Sequence, residues 1–116
     1  MTTSYYRIQH EDRDVQELLD PEFQVSFNYN GRDEDMRAGI SVCASLDDLA
    51  RYIANSGVEI DPHHSVIVEL TGPYSDDEPC DADQGELLIM PTAIIKVTDA
   101  TEAGFYDLID AIYEEM

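Results

Sequence analysis

Apolar residues recur along this chain with two different periods, and the period separates predicted strands from predicted helices. Residues 23–30 (FQVSFNYN) place an apolar or aromatic side chain at every second position. Because successive side chains of a strand point to opposite faces, this alternation predicts a strand with one buried face. Runs rich in β-branched residues predict further strands. The remaining predicted strands are residues 4–9, 38–44, 65–70, 86–90 and 92–98.

Turn signals indicate how these strands are connected. Asn30 and Gly31 form a dipeptide that is favoured in hairpins, and it predicts that residues 23–30 and 38–44 are the two arms of one hairpin. Pro91 predicts a break or a sheet edge between the last two strands, because proline cannot donate a hydrogen bond to a strand ladder. We expect hairpins between consecutive strands to predominate.

Residues 45–56 (SLDDLARYIANS) form the clearest predicted helix. Ser45 can cap the free N–H groups of the first turn, Asp48 completes a capping-box pattern, and Gly57 is a typical C-terminal stop. The apolar residues follow helical spacing and predict one buried stripe. This stripe consists of Leu46, Leu49, Ala50, Ile53 and Ala54.

Two further helices are predicted near the ends of the chain. Residues 11–20 have a short apolar side and are followed by Pro21, which ends a helix. Residues 101–115 show the same three- and four-residue spacing over a longer stretch. The apolar side of this last helix comprises Phe105, Leu108, Ile109, Ile112 and Met116.

These elements define the predicted fold class. Strands flanked by helices and joined by short reversals predict an α+β domain with a largely antiparallel sheet of about five strands, packed with two to three helices. No internal repeat or linker divides the chain, so residues 1–116 are predicted to form a single domain.

The charge balance restricts the function further. Asp and Glu together number 26, Lys and Arg together number 6, and the net charge is -20. Direct binding to nucleic acid or to anionic lipid is therefore electrostatically disfavoured. Residues 1–13 lack the features of a signal peptide and no apolar run is long enough for a membrane helix, so a cytoplasmic location without membrane contact is predicted.

The acidic segment at residues 72–86 is the first candidate for a metal site. Asp81 to Gly85 resembles part of a calcium loop, but Gly85 occupies the fifth position and Thr92 the twelfth, where ligands are required. Cys80 and the adjacent His63 and His64 lack the paired spacing of a zinc site. We predict no bound metal and no cofactor, and we expect solvated carboxylates in this segment.

No residue pattern indicates catalysis. The chain contains no nucleophile elbow, Walker loop, dinucleotide fingerprint or zinc-protease helix. His10 beside Glu11 and Asp12 could act as a general base with an orienting carboxylate, but an acid-rich helix start explains the same string. We predict no catalytic residues and no enzymatic activity.

The acidic residues are concentrated in particular segments, and this indicates a binding surface. Asp107, Asp110 and Glu114 follow helical spacing, so they are predicted to form a row with intervals of about 4.5–6 Å along the helix axis. Tyr106 and Tyr113 are interleaved with this row. The predicted partner-binding residues are Asp76, Asp77, Glu78, Asp81, Asp83, Glu102, Tyr106, Asp107, Asp110, Tyr113 and Glu114.

Charge, size and the missing catalytic motifs favour a non-enzymatic inhibitor that blocks a basic, nucleic-acid-binding protein. Small phage-encoded DNA mimics and some anti-CRISPR proteins are of this kind, although no motif assigns the chain to a family. An antitoxin or immunity protein against a basic toxin would use the same physics. The alternative is an acidic housekeeping domain adapted to a salty cytoplasm, for which the scarcity of lysine is an argument.

Overall fold

The computed structural model describes residues 3–20, 22, 39–56, 64–76 and 85–115. The elements in these ranges confirm the α+β class predicted from the sequence. The strands are β1 (Tyr5–His10), β2 (Ile40–Val42), β3 (Ser65–Thr71), β4 (Leu87–Ile89) and β5 (Ala93–Asp99). The helices are a 3₁₀ helix (Val15–Leu19), α1 (Leu46–Ser56) and α2 (Phe105–Glu115). Among the described helices, none has the length and apolar character needed to span a bilayer.

The five strands form two antiparallel sheets. β3 lies at the centre of one sheet between β1 and β5, and β2 pairs with β4 in the other. The sheets are joined where Tyr6 and Cys43 exchange two backbone hydrogen bonds of 2.9 Å. The residues that follow β3 also pair with β4, since Ser75 N–H donates a hydrogen bond to the Leu88 carbonyl at 2.9 Å. Backbone hydrogen bonds therefore connect the two sheets at two places.

The expected predominance of hairpins between consecutive strands is wrong for the second half of the chain. β4 pairs with β2 and not with β3 or β5, its neighbours in sequence. Pro91, which lies between β4 and β5, interrupts the ladder as predicted and marks the point where the chain passes from one sheet to the other. The strand predicted at residues 23–30 and its Asn30–Gly31 turn lie outside the described residues.

Alternation along β3 divides the apolar core into two clusters. Ile67 points to the side of the helices, whereas Val68 and Leu70 point to the opposite side. The buried members of the helix-side cluster are Cys43, Leu49, Ala50, Ile53, Ala54, Ile67, Ala100, Phe105, Ile109 and Ile112. The cluster on the other side contains Tyr5, Leu18, Ile40, Val42, Val68, Leu70 and Ile89.

The helix predicted over residues 11–20 is shorter and tighter than expected. It is a five-residue 3₁₀ helix that begins after Asp14, whose side chain accepts a hydrogen bond from Gln16 N–H at 2.9 Å, and it buries only Leu18. A segment with one buried residue gains little apolar burial, and 3₁₀ geometry is common in such short pieces.

α1 confirms the prediction made for residues 45–56. Ser45 Oγ accepts a hydrogen bond from Asp48 N–H at 3.1 Å, so the predicted N-cap is present. Four of the five predicted stripe residues are buried and Leu46 is partly buried. Gly57, the predicted stop, lies outside the described residues.

α2 begins later than predicted. Residues 101–104 form a turn, and the helix starts at Phe105. Thr101 N–H donates to Asp99 Oδ1 at 2.9 Å, and Gly104 adopts a positive φ of 74°. Glu102 is therefore an exposed turn residue and does not belong to the helix, which corrects its predicted placement. Met116, predicted on the apolar side, lies outside the described residues.

Candidate partner-binding surface

The packing of α2 decides which of its side chains can meet a partner. Phe105, Ile109 and Ile112 are buried against the sheet and α1. At about 100° per residue, Asp107, Asp110 and Glu114 fall within an arc of about 60° on the opposite side of the helix. All three are exposed. The predicted acidic row therefore lies on the outermost face of α2.

The two tyrosines of the predicted site lie together on one flank of this row, but they differ in burial. Tyr113 is 53% exposed. Tyr106 is partly buried against the helix-side cluster, and its ring meets that of Phe105 edge-on at a centroid distance of 6.1 Å. Tyr113 is thus available for contact as predicted, whereas Tyr106 also contributes to the core.

The other flank of α2 faces α1 and holds an ion pair. Arg51 Nη2 lies 3.7 Å from Glu115 Oε2, and both side chains are more than half exposed. α1 also places Asp47 and Asp48 in its exposed first turn. α1 carries two carboxylates and α2 carries four, and Arg51 is the one Lys or Arg in the two helical sequences. The two helices therefore carry six acids and one base. We call this outer surface of α1 and α2 the acidic helix layer.

The C-terminal end of the acidic segment, at Gly85, lies close to the acidic helix layer. A Cβ built on Gly85 would lie 3.9 Å from Asp48 Cβ, so the residue that follows positions 77–84 adjoins the first turn of α1. Asp76 is exposed at the other end of the segment, close to the short stretch that pairs with β4. The other predicted partner-binding residues of this segment, which are Asp77, Glu78, Asp81 and Asp83, lie outside the described residues, as does Cys80.

Glu86 corrects the expectation that every carboxylate of the acidic segment is solvated. It is 7% exposed, and its Oε2 accepts a hydrogen bond of 2.7 Å from Ser41 Oγ on β2. The sequence gives no signal for this role, because the partner lies 45 positions away and is set by the β2–β4 pairing. Glu86 therefore ties the end of the segment to the sheet.

A small cavity adjoins Glu86 and Cys43. It has a volume of about 20 Å³ and is lined by Ser41, Val42, Cys43, Leu49, Tyr52 and Glu86. Burial raises the pKa of the Cys43 thiol to about 12, and the charges of Asp48 and Glu86 contribute to the rise. A protonated thiol in a cavity large enough for about one water molecule is a packing residue.

Two histidines, His10 and His64, lie side by side where β1 ends and β3 begins, and this contact was not predicted from the sequence. The rings of His10 and His64 are 5.9 Å apart, and His64 Nδ1 lies 2.9 Å from Glu11 Oε1. Asp12 N–H donates to His10 Nδ1 at 3.1 Å. His64 is exposed. Within the described ranges no three His, Cys, Asp or Glu side chains are grouped so that they could hold a metal ion.

Apart from Arg51, the Lys and Arg side chains of the described residues lie in the sheets or in the turn that precedes the 3₁₀ helix. Arg7 on β1 donates to Gln9 Oε1 at 3.2 Å and to the Ser41 carbonyl at 3.3 Å. Burial, and to a smaller extent the charge of Arg13, lowers the pKa of Arg7 to about 10. Arg13 itself lies 3.6 Å from Glu17. The acidic helix layer therefore has Arg51 as the one Lys or Arg side chain in its two helical sequences.

Comparison of the chain with protein-family models, curated proteins and solved structures gave no match.

Proposed function

We propose that this chain is a non-enzymatic acidic binding protein that occupies the basic nucleic-acid groove of a protein partner. The observation that carries the proposal is the outer arc of α2, where Asp107, Asp110 and Glu114 are exposed in one row. An inhibitor of a nucleic-acid-binding enzyme and an immunity protein against a basic toxin would both use this surface.

The spacing of the row suits a groove that normally holds phosphates. Carboxylates three and four residues apart on a helix are separated by about 4.5–6 Å along its axis. One strand of duplex DNA carries a charge about every 3.4 Å, so the row is coarser than a strand but regular. Lys and Arg side chains are long and flexible enough to accommodate this difference.

The end of α2 also favours a basic partner. The last turn contains Glu114 and Glu115 and no basic residue. Carboxylates near a helix C-terminus oppose the helix dipole at a cost of about 0.3–1 kcal/mol each. The ion pair with Arg51 offsets this cost for Glu115. A partner's cations would offset it for Glu114, and Tyr113 beside the row offers an aromatic contact of the type enriched in binding hot spots.

A second candidate is supported by the opposite side of the molecule. Exposed acids also surround the 3₁₀ helix, namely Asp12, Asp14, Glu17, Asp20 and Glu22. Acids on both sides of the sheet are what adaptation to a salty cytoplasm would produce, with no partner required. The experiment below separates the two candidates because it compares the two sides directly.

The test uses two variants with equal changes in charge. One is Asp107→Lys/Asp110→Lys/Glu114→Lys in the acidic helix layer, and the control is Asp12→Lys/Glu17→Lys/Glu22→Lys on the other side. Proteins captured from host lysate are tested for duplex-DNA competition, and the association rate of the competing partner is measured. Because opposite charges steer association, we expect the first variant to associate about tenfold more slowly or worse, and the control to change far less.

Salt provides the second part of this test. The association rate of the unmodified chain should fall as the salt concentration rises, because screening removes the steering field. Two results would refute the proposal: capture of no basic protein, or a captured protein that binds DNA and this chain at the same time. An equal decrease of the association rate in both variants would show that only net charge matters and would favour salt adaptation.

A further inference from the structure

The end of the β1–β3 ladder holds two imidazoles close together. Ser65 is the register partner of His10, and Glu11 N–H donates to the His64 carbonyl at 2.7 Å, so backbone hydrogen bonds fix the position of both histidines. The centroids of their rings are 5.9 Å apart, and the ring planes are inclined by 33°. The side chains of His10 and His64 are 45% and 54% exposed, so a ligand from solvent can reach both rings.

Each imidazole has a carboxylate on its Nδ1 side. Glu11 Oε1 lies 2.9 Å from His64 Nδ1, and Asp12 Oδ2 lies 3.4 Å from His10 Nδ1. A histidine that ligates a metal usually donates the N–H of its other ring nitrogen to a carboxylate or a carbonyl, because this contact fixes the ring and the tautomer. When His64 Nδ1–H donates to Glu11, the Nε2 atom carries the free lone pair that a metal requires.

His10 can reach the same state by moving one proton within its ring. Asp12 N–H lies 3.1 Å from His10 Nδ1 and donates to it when the ring proton is on Nε2. With the proton on Nδ1 instead, that nitrogen donates to the Asp12 carboxylate and Nε2 becomes free. The charge of the ring does not change in this step, and both acceptors belong to the same neighbouring residue.

We propose that His10 and His64 bind one divalent transition-metal ion through their Nε2 atoms, with water completing the coordination. Metal–imidazole bonds of about 2.0–2.1 Å allow two bridged ring centroids to lie up to about 6.4 Å apart, and the distance between these two rings is within that limit. Imidazole ligands suit Zn²⁺, Ni²⁺ and Cu²⁺, of which Cu²⁺ binds most tightly. The net charge of -20 raises the concentration of cations near the chain.

The number of ligands determines the character of the site. A structural zinc site normally has four protein ligands, whereas this site has two. Within the described part of the chain, no group of three His, Cys, Asp or Glu side chains includes the pair. The ion should therefore bind reversibly. Because its two ligands come from the end of β1 and the start of β3, binding should also raise the melting temperature.

The test is isothermal titration calorimetry with CuCl₂, and with MgCl₂ as a probe of cations that bind carboxylates alone. All proteins carry Cys80→Ser, because a thiol also binds copper. We expect one copper site per chain, which an excess of MgCl₂ does not abolish. His10→Ala and His64→Ala should each weaken copper binding about tenfold or more, and Glu11→Gln should do so through loss of the carboxylate that orients His64.

The matched control is His63→Ala, which removes the remaining histidine of the chain and keeps both proposed ligands. This control should bind Cu²⁺ as the parent protein does, and circular dichroism should show that every variant is folded. Pulsed electron paramagnetic resonance of the copper complex counts the bound imidazoles, and we expect two.

Three results would overturn the proposal. They are a copper complex with oxygen ligands only, a complex with a single imidazole, and a loss of affinity in His63→Ala as large as that in His64→Ala. None of the proposed ligands belongs to the acidic helix layer, so failure here leaves the proposed function standing.

Discussion

Among the described glycines, Gly72 lies closest to another backbone segment. A Cβ at this position would lie 2.8 Å from Pro91 Cα and equally close to the Met90 carbonyl carbon, both of which are backbone atoms. We expect Gly72→Ala to lower the free energy of unfolding by about 1–3 kcal/mol or more, as overpacking does. Chemical denaturation monitored by circular dichroism measures the change.

Gly104 is the matched control for this prediction. It has a positive φ of 74°, but a Cβ there would have no neighbour within 4 Å in the described structure. Gly104→Ala should therefore incur only the backbone strain, about 1–2 kcal/mol. A larger loss of stability from Gly104→Ala than from Gly72→Ala would show that Gly72 lies farther from Met90 and Pro91 than described.

The Cys43 thiol should be unreactive in the folded protein. Burial raises its pKa from 9.0 to about 12, so the thiolate is scarce at pH 8. In a Cys80→Ser background, iodoacetamide should label Cys43 only after denaturant is added. Rapid labelling without denaturant would contradict the described burial.

The same pKa gives a dependence of stability on pH. The unfolded chain loses the Cys43 proton near pH 9, whereas the folded chain retains it until about pH 12. Unfolding therefore releases a proton in this window, and the free energy of unfolding should fall as pH rises from about 9 towards 12. Cys43→Ala should show a smaller fall over this range, and an identical slope in both proteins would refute the assignment.

Individual residues could be predicted where their role depends on near neighbours in sequence. Ser45 was assigned as a cap because its partner, the N–H of Asp48, is three positions away. Glu86 was misjudged because its partner, Ser41, is 45 positions away. The contact between His64 and Glu11 escaped prediction for the same reason, since these residues are 53 positions apart.

At the level of single elements, the cap of α1 can be tested directly. Ser45→Ala removes the hydrogen bond to Asp48 N–H and should lower the free energy of unfolding by about 1 kcal/mol. Asn55→Ala, at an exposed position of the same helix, should be neutral or slightly stabilising because alanine has the higher helix propensity. A neutral Ser45→Ala would mean that water replaces the cap.

Helices and strands were predicted better than the pairing between strands. The apolar stripes of α1 and α2 are local patterns, and four of the five stripe residues of α1 are buried. The pairing of β2 with β4 is non-local, and no turn dipeptide encodes it. The 3₁₀ helix was expected to be longer because its pattern alone does not reveal how little apolar surface it can bury.

At the scale of the whole molecule, the net charge of -20 should make stability depend on salt. Screening at about 1 M ionic strength reduces the Debye length to about 3 Å, so we expect the melting temperature to rise between low salt and this concentration. Asp107→Asn/Asp110→Asn/Glu114→Gln should melt higher than the unmodified chain at low salt, and the difference should shrink at high salt.

Two other outcomes of this salt titration are informative. A melting temperature that does not change with salt would mean that the carboxylates are already compensated within the fold. A rise that continues into multimolar KCl would favour adaptation to a salty cytoplasm over partner binding. Differential scanning calorimetry on both proteins distinguishes these cases.

The central position of β3 determines how the molecule should open. Its side chains enter both apolar clusters, and its backbone is hydrogen-bonded to β1 and β5. β3 cannot leave its sheet without exposing both clusters, so the two should form one cooperative unit. The Val68 amide should then exchange its hydrogen with solvent only when the whole domain unfolds, and its protection should report the global stability.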